Sequence, residues 1–313
     1  MKLSRLRVGV VGVGHVGQHH ARIMASLSDV DLVAVVDVNK DRAIAVAETT
    51  GALAETNIDA LVSRVDAVNI AVPTDAHMEV ALPFLERGIS VLVEKPISRS
   101  VAEADALIAA AHVSGAVLAV GHTERYNPAV ITARTLIDTP RFIEVHRLSS
   151  FSSRSLDIDV VFDVMIHDLD VLLTVVQSEV TSIEAVGVSV LSERVDIANA
   201  RLRFASGCIA NITASRISRE QIRKVRFFQA GAYLSIDYAA QEVDAWRLVK
   251  SGQAPPSIEG GQMDVEKEEP LRLELLDFVS AVRHNLAPEV TGEDGRRALV
   301  LAQRITDQMK VRE

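Results

Sequence analysis

Residues 8 to 17 read Val-Gly-Val-Val-Gly-Val-Gly-His-Val-Gly, and this run constrains the chain more than any other. Val8 to Val11 suits a short buried strand. Gly12, Gly14 and Gly17 then spell G-x-G-x-x-G where that strand should turn into a helix over roughly His15 to Leu27. Gly12 permits the tight turn, Gly14 lets backbone approach a pyrophosphate, and Gly17 lets helix and strand pack closely. The helix offers unpaired N–H groups and the positive end of its dipole to the phosphates.

A second apolar run, Leu32 to Val36, ends in Asp37, 20 residues beyond Gly17. A carboxylate there accepts hydrogen bonds from both hydroxyls of an adenosine ribose and repels a 2′-phosphate. The expected cofactor is therefore NAD rather than NADP. Lys40 and Arg42 are the residues that would neutralise such a phosphate if they folded inward.

Apolar runs recur at Ala67–Val72, Ile89–Val93 and Ala116–Val120. Helical patterns lie between them at Val16–Leu27, Asp41–Thr49, Ala76–Glu86 and Val101–Ala111, the last with a capping box of Ser100 and Glu103. Near-continuous apolar strands alternating with helices imply a parallel sheet covered on both faces, a doubly wound Rossmann domain over 1–122. Beyond Gly121 the rhythm changes. A helix is expected near Ala129–Leu136, a strand near Phe142–Leu148, and a segment Val160–Val176 that is helical in its second half. Strand-like runs follow at Ser182–Val190, Asn199–Phe204, Cys208–Ala214, Lys224–Ala230 and Tyr233–Tyr238, with turns at Gly207 and Gly231. Residues 251–270 read as an exposed loop, and two helices, Leu271–His284 and Asp294–Lys310, close the chain. The fold class is thus α/β, with a second α+β domain over 123–313 built on an open, mostly antiparallel sheet. The ligand is expected in the cleft between domains.

Several classes of protein are excluded. At 313 residues the chain is comfortable for two domains. A net charge of −9 argues against a nucleic-acid binder, which carries a basic footprint. The one cysteine, Cys208, allows no internal disulfide and no Cys/His zinc spacing, which suits the cytoplasm. No apolar run approaches a membrane span, and residues 1–7 are too short and polar for the apolar part of a secretion signal.

Two groups of residues can do chemistry. Glu94-Lys95-Pro96 follows the fifth strand, at the carboxyl ends of the strands where open α/β sheets bind ligands. A lysine there can polarise a substrate oxygen or tune a proton donor, and the proline can adopt the cis form; the plainer alternative is a surface lysine beside a turn. Asp163 and His167 stand four apart at the start of a helix, on one face. Histidine titrates near neutral pH and suits a base that takes a proton from an alcohol. The aspartate can orient the ring or bind substrate hydroxyls. Asp168 and Asp170 lie close by, yet one histidine among carboxylates is not specific for a metal, and none is expected. The plain reading is a helix-start cluster of acids favoured by the dipole.

Together, Gly12-x-Gly14-x-x-Gly17, Glu94-Lys95-Pro96, Asp163-x-x-x-His167, Ala71-Val-Pro-Thr-x-x-His77 and Gly121-His122 resemble the Gfo/Idh/MocA oxidoreductases along nearly the whole chain. The resemblance implies NAD(P)-dependent oxidation of a sugar or polyol hydroxyl, by a homodimer or homotetramer built through the open sheet. It implies Lys95 and His167 as the proton-transfer groups with Asp163 beside them. The cofactor set it implies is Gly12, Gly14, His15, Val16, Gly17, Asp37, Val72, Pro73, Thr74, His77, Glu94, Lys95 and Pro96, of which Pro73, His77, Glu94 and Pro96 line the nicotinamide side. His122, Glu124, Arg125, Asn127, Arg154 and Arg223 are the expected substrate contacts.

A narrower resemblance lies in Gly121-His-Thr-Glu-Arg-Tyr-Asn-Pro128 and Val161-Phe-Asp-Val-Met-Ile-His-Asp-Leu-Asp170. These are similar to the branch of the family that oxidises the 3-hydroxyl of UDP-N-acetylglucosamine in lipid A precursor synthesis, ahead of an aminotransferase. Arg216, Arg219, Arg223, Lys224 and Arg226 form a basic island in an acidic chain. Some of them, with Arg125 or Arg154, can hold a diphosphate; equally, they can be positive residues guarding a strand edge. The competing expectations are an inositol or free-sugar dehydrogenase and a catalytically silent sensor of NAD or sugar.

Overall fold

A computed structural model describes residues 5–151, 158–250 and 255–310. Residue contacts divide the chain into two units, Met1–His122 with Leu271–Arg296, and Thr123–Pro270 with Arg297–Glu313.

The first unit begins β1 (Leu6–Val11), α1 (Gly17–Ser26), β2 (Val30–Val36), α2 (Lys40–Thr50), β3 (Leu53–Glu55), β4 (Ala67–Ile70), α3 (His77–Leu85), β5 (Ser90–Glu94), α4 (Val101–Ser114) and β6 (Leu118–Gly121). Its sheet runs β3-β2-β1-β4-β5-β6, and every pairing is parallel. This is the doubly wound order that the alternation predicts. Val8, Val10, Val68, Ile70, Val91 and Val93 are all fully buried, which is why these strands read as unbroken apolar runs. The short β3 has no such signature, because Leu53 is exposed. Ser100 caps α4 by accepting the Glu103 N–H at 3.3 Å. The Glu103 carboxylate returns to the N–H of Arg99, one residue before the cap.

The second unit holds α5 (Pro128–Arg134), β7 (Pro140–Leu148), a π-helical turn at Val161–Met165, and α6 (Ile166–Val176). Then come β8 (Val180–Val188), β9 (Ile197–Phe204), β10 (Ile209–Ser215), β11 (Ile222–Gln229), β12 (Ala232–Asp237), β13 (Glu242–Val249) and β14 (Ser257–Gln262). Its sheet runs β14-β13-β12-β11-β7-β10-β9-β8. Only β7 with β10 pair in parallel. One face buries Ile143, Val145, Ile212, Val225, Phe227 and Leu234 against α5 and α6. The other face carries Phe142, Phe228, Tyr233 and Trp246 in one cross-strand row.

Two expectations need correction here. Residues 251–270 are not all loop: β14 lies within them, hidden from the sequence by Gly260 and Gly261, which break apolar alternation. Its partner β13 also escapes notice, since only Val243 on it is fully buried. The closing helices are α7 (Pro270–His284) and α8 (Gly292–Lys310). α7 sends Leu275, Phe278 and Val279 into the core of the first unit, so residues 123–313 do not form one continuous body.

Candidate functional site

In the first unit the glycine turn has the geometry its residues require. Gly12 adopts φ +81, and a Cβ there would meet the Ala71 carbonyl at 2.8 Å. A Cβ on Gly17 would collide with the Gly12 carbonyl oxygen. At Gly14 a Cβ would meet nothing nearer than Arg42 Nη1 at 3.9 Å, so backbone here faces open space. α1 has no side-chain cap and no acid in its first turn, which leaves its positive end open to an anion. His15 and Val16 are exposed beside it. Asp37 is buried, and its Oδ2 accepts the Val13 N–H at 3.0 Å. Arg42 Nη1 lies 3.2 Å from the same oxygen, so of the two cations flagged in the sequence Arg42 does fold toward Asp37. These features fit a dinucleotide whose pyrophosphate meets the turn and whose ribose meets Asp37.

The Lys95 turn is held from two sides. The His77 ring places Nδ1 2.9 Å from the Pro96 carbonyl and Nε2 3.0 Å from the Val72 carbonyl. His77 thus staples the Val72–Pro73–Thr74 loop to the Lys95–Pro96 turn, and both its nitrogens are engaged with main chain. Burial pushes its pKa down, against the pull of those carbonyls. The Lys95–Pro96 peptide is cis. On the other side, Glu94 Oε2 accepts the Lys95 N–H at 3.1 Å and Oε1 meets His20 Nε2 at 3.1 Å. Burial raises the Glu94 pKa, but the His20 hydrogen bond and the charges of His20 and Lys95 bring it below its ordinary value. Lys95 itself is half-buried.

In the second unit Asp163 sits in the π turn, closed by the Ile166 N–H bonding to the Val161 carbonyl, and His167 follows in the first turn of α6. π turns are frequent at functional sites. Both side chains are half-buried, and His167 lies between the buried Ile166 and Asp168. The helix start is pinned by two guanidinium–carboxylate pairs. Arg125 Nε donates to Asp170 Oδ2 at 2.9 Å. Arg147 Nε and Nη2 donate to Asp168 at 2.6 and 3.0 Å, and its Nη1 donates to Glu124 at 2.8 Å. The Arg147 guanidinium also lies over the Tyr238 ring, 4.8 Å from its centroid. Despite the cost of burial, the Asp168 and Glu124 charges raise the Arg147 pKa well above its ordinary value, so it stays a cation.

These contacts redefine several expected substrate residues. Arg125 is bound to Asp170, and Glu124 accepts from Arg147 and Asn127. Asn127 caps α5 by accepting the Ala129 N–H and donates to the Tyr238 carbonyl. His122 is buried. Arg154 lies outside the described residues. In the basic island Arg216 is buried against Asp196, Arg226 pairs with Glu144 and Lys224 with Asp237. Arg219 and Arg223 are exposed and have no ion pair among the described residues. His20, Asn69, Glu274, Arg147 and Tyr238 are not among the residues that the sequence motifs mark. Each is a polar residue in a buried position, and only His20, three residues after Gly17 on the turn's own helix, had a positional signal.

Comparison with known proteins agrees along the full length. A family described as an oxidoreductase family with an NAD-binding Rossmann fold matches residues 6–122. A GFO/IDH/MocA C-terminal domain matches residues 127–231. UDP-N-acetylglucosamine 3-dehydrogenase from Acidithiobacillus ferrooxidans is 38% identical over 306 residues, 97% of each chain. A solved structure of that enzyme superposes with a TM-score of 0.92 at 36% identity, covering 99% of both chains. Inositol 2-dehydrogenase from Rhizobium meliloti is 26% identical, covering 95% of this chain and 94% of the relative. Since the dinucleotide turn, the Lys95 turn and the Asp163–His167 helix all fall where these matches run, the chain belongs to the Gfo/Idh/MocA family of NAD-binding oxidoreductases.

Proposed function

We propose that the protein oxidises the 3-hydroxyl of the sugar in UDP-N-acetylglucosamine, with NAD+ as oxidant. The observation that carries this is the end-to-end likeness to an enzyme of that name, at 38% identity over 97% of the chain. The first unit binds NAD through Gly12, Gly14, Gly17 and Asp37 and supplies Lys95. The second supplies His167, with Asp163 beside it. Bound NAD+ supplies the hydride acceptor, and the protein's part is orientation and proton handling. His167 is the base for the hydroxyl proton, and Lys95 offsets negative charge that builds during the reaction. The exposed Arg219 and Arg223 suit the diphosphate.

The product ketone fits the next step that this reading implies, amination in a lipid A precursor route in the cytoplasm. A homodimer or homotetramer would cover the row Phe142, Phe228, Tyr233 and Trp246, of which Phe228 and Trp246 are exposed, since apolar patches on a sheet face are commonly covered by a partner. Incubation with UDP-N-acetylglucosamine and NAD+, followed by mass spectrometry, should give a product two hydrogens lighter together with NADH. An unchanged sugar nucleotide rejects the substrate. The inositol 2-dehydrogenase likeness makes free inositol the second reading. Thermal protection by UDP alone, which a free-polyol enzyme would not show, separates the two.

A further inference from the structure

His20, Glu94 and Glu274 come from three different elements, α1, β5 and α7, and place one nitrogen and two carboxylate groups within 4.8 Å of one another. His20 and Glu274 are buried. Glu94 keeps 14% of its side-chain surface. His20 Nδ1 faces the amide of Asn69 on β4, 3.4 Å from Nδ2. In that orientation Nδ1 accepts, so Nε2 carries the ring proton and donates it to Glu94 Oε1. Asn69 Oδ1 has no hydrogen-bond partner among the described residues. The second oxygen of Glu94 takes the main-chain N–H of Lys95 at 3.1 Å. Gly121 leaves the carboxylate uncrowded: a Cβ there would meet the Glu94 carboxyl carbon at 3.1 Å and Oε1 at 3.2 Å.

We propose that His20 is a positioning residue for Lys95, acting through Glu94: it fixes the carboxylate that in turn fixes the main chain of the lysine turn. The proposal rests on Lys95 working at the reacting hydroxyl. Because His20 stands on the helix whose start meets the pyrophosphate, the same helix orients cofactor and amine together. An error of about 1 Å at a catalytic group costs up to roughly 100-fold in rate, so a clasp of this kind should be visible in kcat.

Two nearly isosteric polar variants test it. The terminal amide of His20→Gln reaches the position of Nε2 and keeps the donor to Glu94. His20→Asn keeps only an acceptor near Nδ1 and loses Glu94. The expected result is near-native kcat for His20→Gln. For His20→Asn, kcat should fall about 10- to 100-fold, with KM for the sugar substrate and Kd for NADH within about threefold. In a Lys95→Ala background, His20→Asn should lower kcat no further, since the residue it positions is gone. Equal kcat in the Gln and Asn variants overturns the clasp, as does an additive loss in the double variant. Stoichiometric metal in the purified protein, lost on His20→Asn, overturns it too, because the trio would then be a ligand set. If Lys95→Ala alone keeps full turnover, the reading of Lys95 fails instead, and the two failures are distinct.

Discussion

The two units hold their proposed acid–base residues by different physics. The turn that bears Lys95 is kept in place by imidazoles: His77 between two main-chain carbonyls, and His20 on Glu94. The helix that bears His167 is kept by permanent charges, Arg125 on Asp170 and Arg147 on Asp168 and Glu124. Imidazoles titrate near neutrality, and guanidinium groups do not. The first unit should therefore be the part that pH can loosen. The second should be indifferent to pH near neutrality but intolerant of losing a charge, since an ion left alone in a buried position is costly.

The largest expected effect is on stability. Arg147→Met leaves the Asp168 and Glu124 carboxylates without their cation and should cost about 3–5 kcal/mol. His77→Phe removes the neutral ring's one donated hydrogen bond and its polar contact with the second carbonyl, but no charge, and should cost about 1–3 kcal/mol. Urea midpoints at unchanged slope measure both. If the His77 variant is the less stable of the two, the contrast between charged and neutral anchoring is wrong.

Next in size is the effect on turnover. Lys95→Ala and His167→Ala should each lower kcat by at least about 100-fold while leaving NADH binding intact. Steady-state rates with fluorescence titration of NADH separate the two quantities. A loss confined to one variant would assign proton transfer to one unit alone, and native rates in both would remove these residues from the chemistry.

Acid should then discriminate between the units. Burial holds the folded-state pKa of His77 below 6.5, so the unfolded chain takes up a proton that the folded chain refuses. The associated stability is complete above that pH and is lost progressively as pH falls below it. In the second unit Asp196 has the opposite chemistry but the same sign. Burial alone would raise its pKa. Hydrogen bonds from the Ser192 hydroxyl, from the N–H groups of Leu191 and Val190, and from Arg216 take it well below the ordinary 3.8. Its contribution stays whole until pH falls into the carboxylate range. Hydrogen exchange, corrected for intrinsic rates, should show α3 and the Lys95 turn loosening between pH 7 and 5, while β8 to β10 stay protected. Equal loosening in both would show that His77 does not govern the first unit.

The same contrast explains what the sequence revealed. The Rossmann half was legible nearly strand by strand, since its strands are buried on both faces and Gly12 and Gly17 have steric duties that no other residue meets. The motifs Glu94-Lys95-Pro96 and Asp163-x-x-x-His167 were legible as candidates for chemistry. What was hidden is what anchors them. Arg147 lies on β7, Tyr238 just past β12 and Glu274 on α7, and distance along the chain conceals which partner each will meet. Basic residues likewise look alike before folding. Arg216 is buried on Asp196, whereas Arg223 is exposed, and nothing in their shared run distinguishes them. Asn127 looked like a ligand contact because an N-cap and a binding residue use the same amide.

The smallest effect gives the most local readout. Cys208 is the chain's one thiol and is buried in the core of the second unit. Burial pushes its pKa up to about 11, so at pH 7.5 it is a thiol rather than a reactive thiolate. A thiol reagent should therefore label it only through opening of the second unit, at a rate set by the free energy of that opening. His77→Phe should leave the rate nearly unchanged, because it loosens the first unit. Arg147→Met should speed labelling by an amount that tracks its urea shift. Should both variants speed it equally, the units open together, and the division of labour between imidazole and guanidinium anchors would be local chemistry without separate stability.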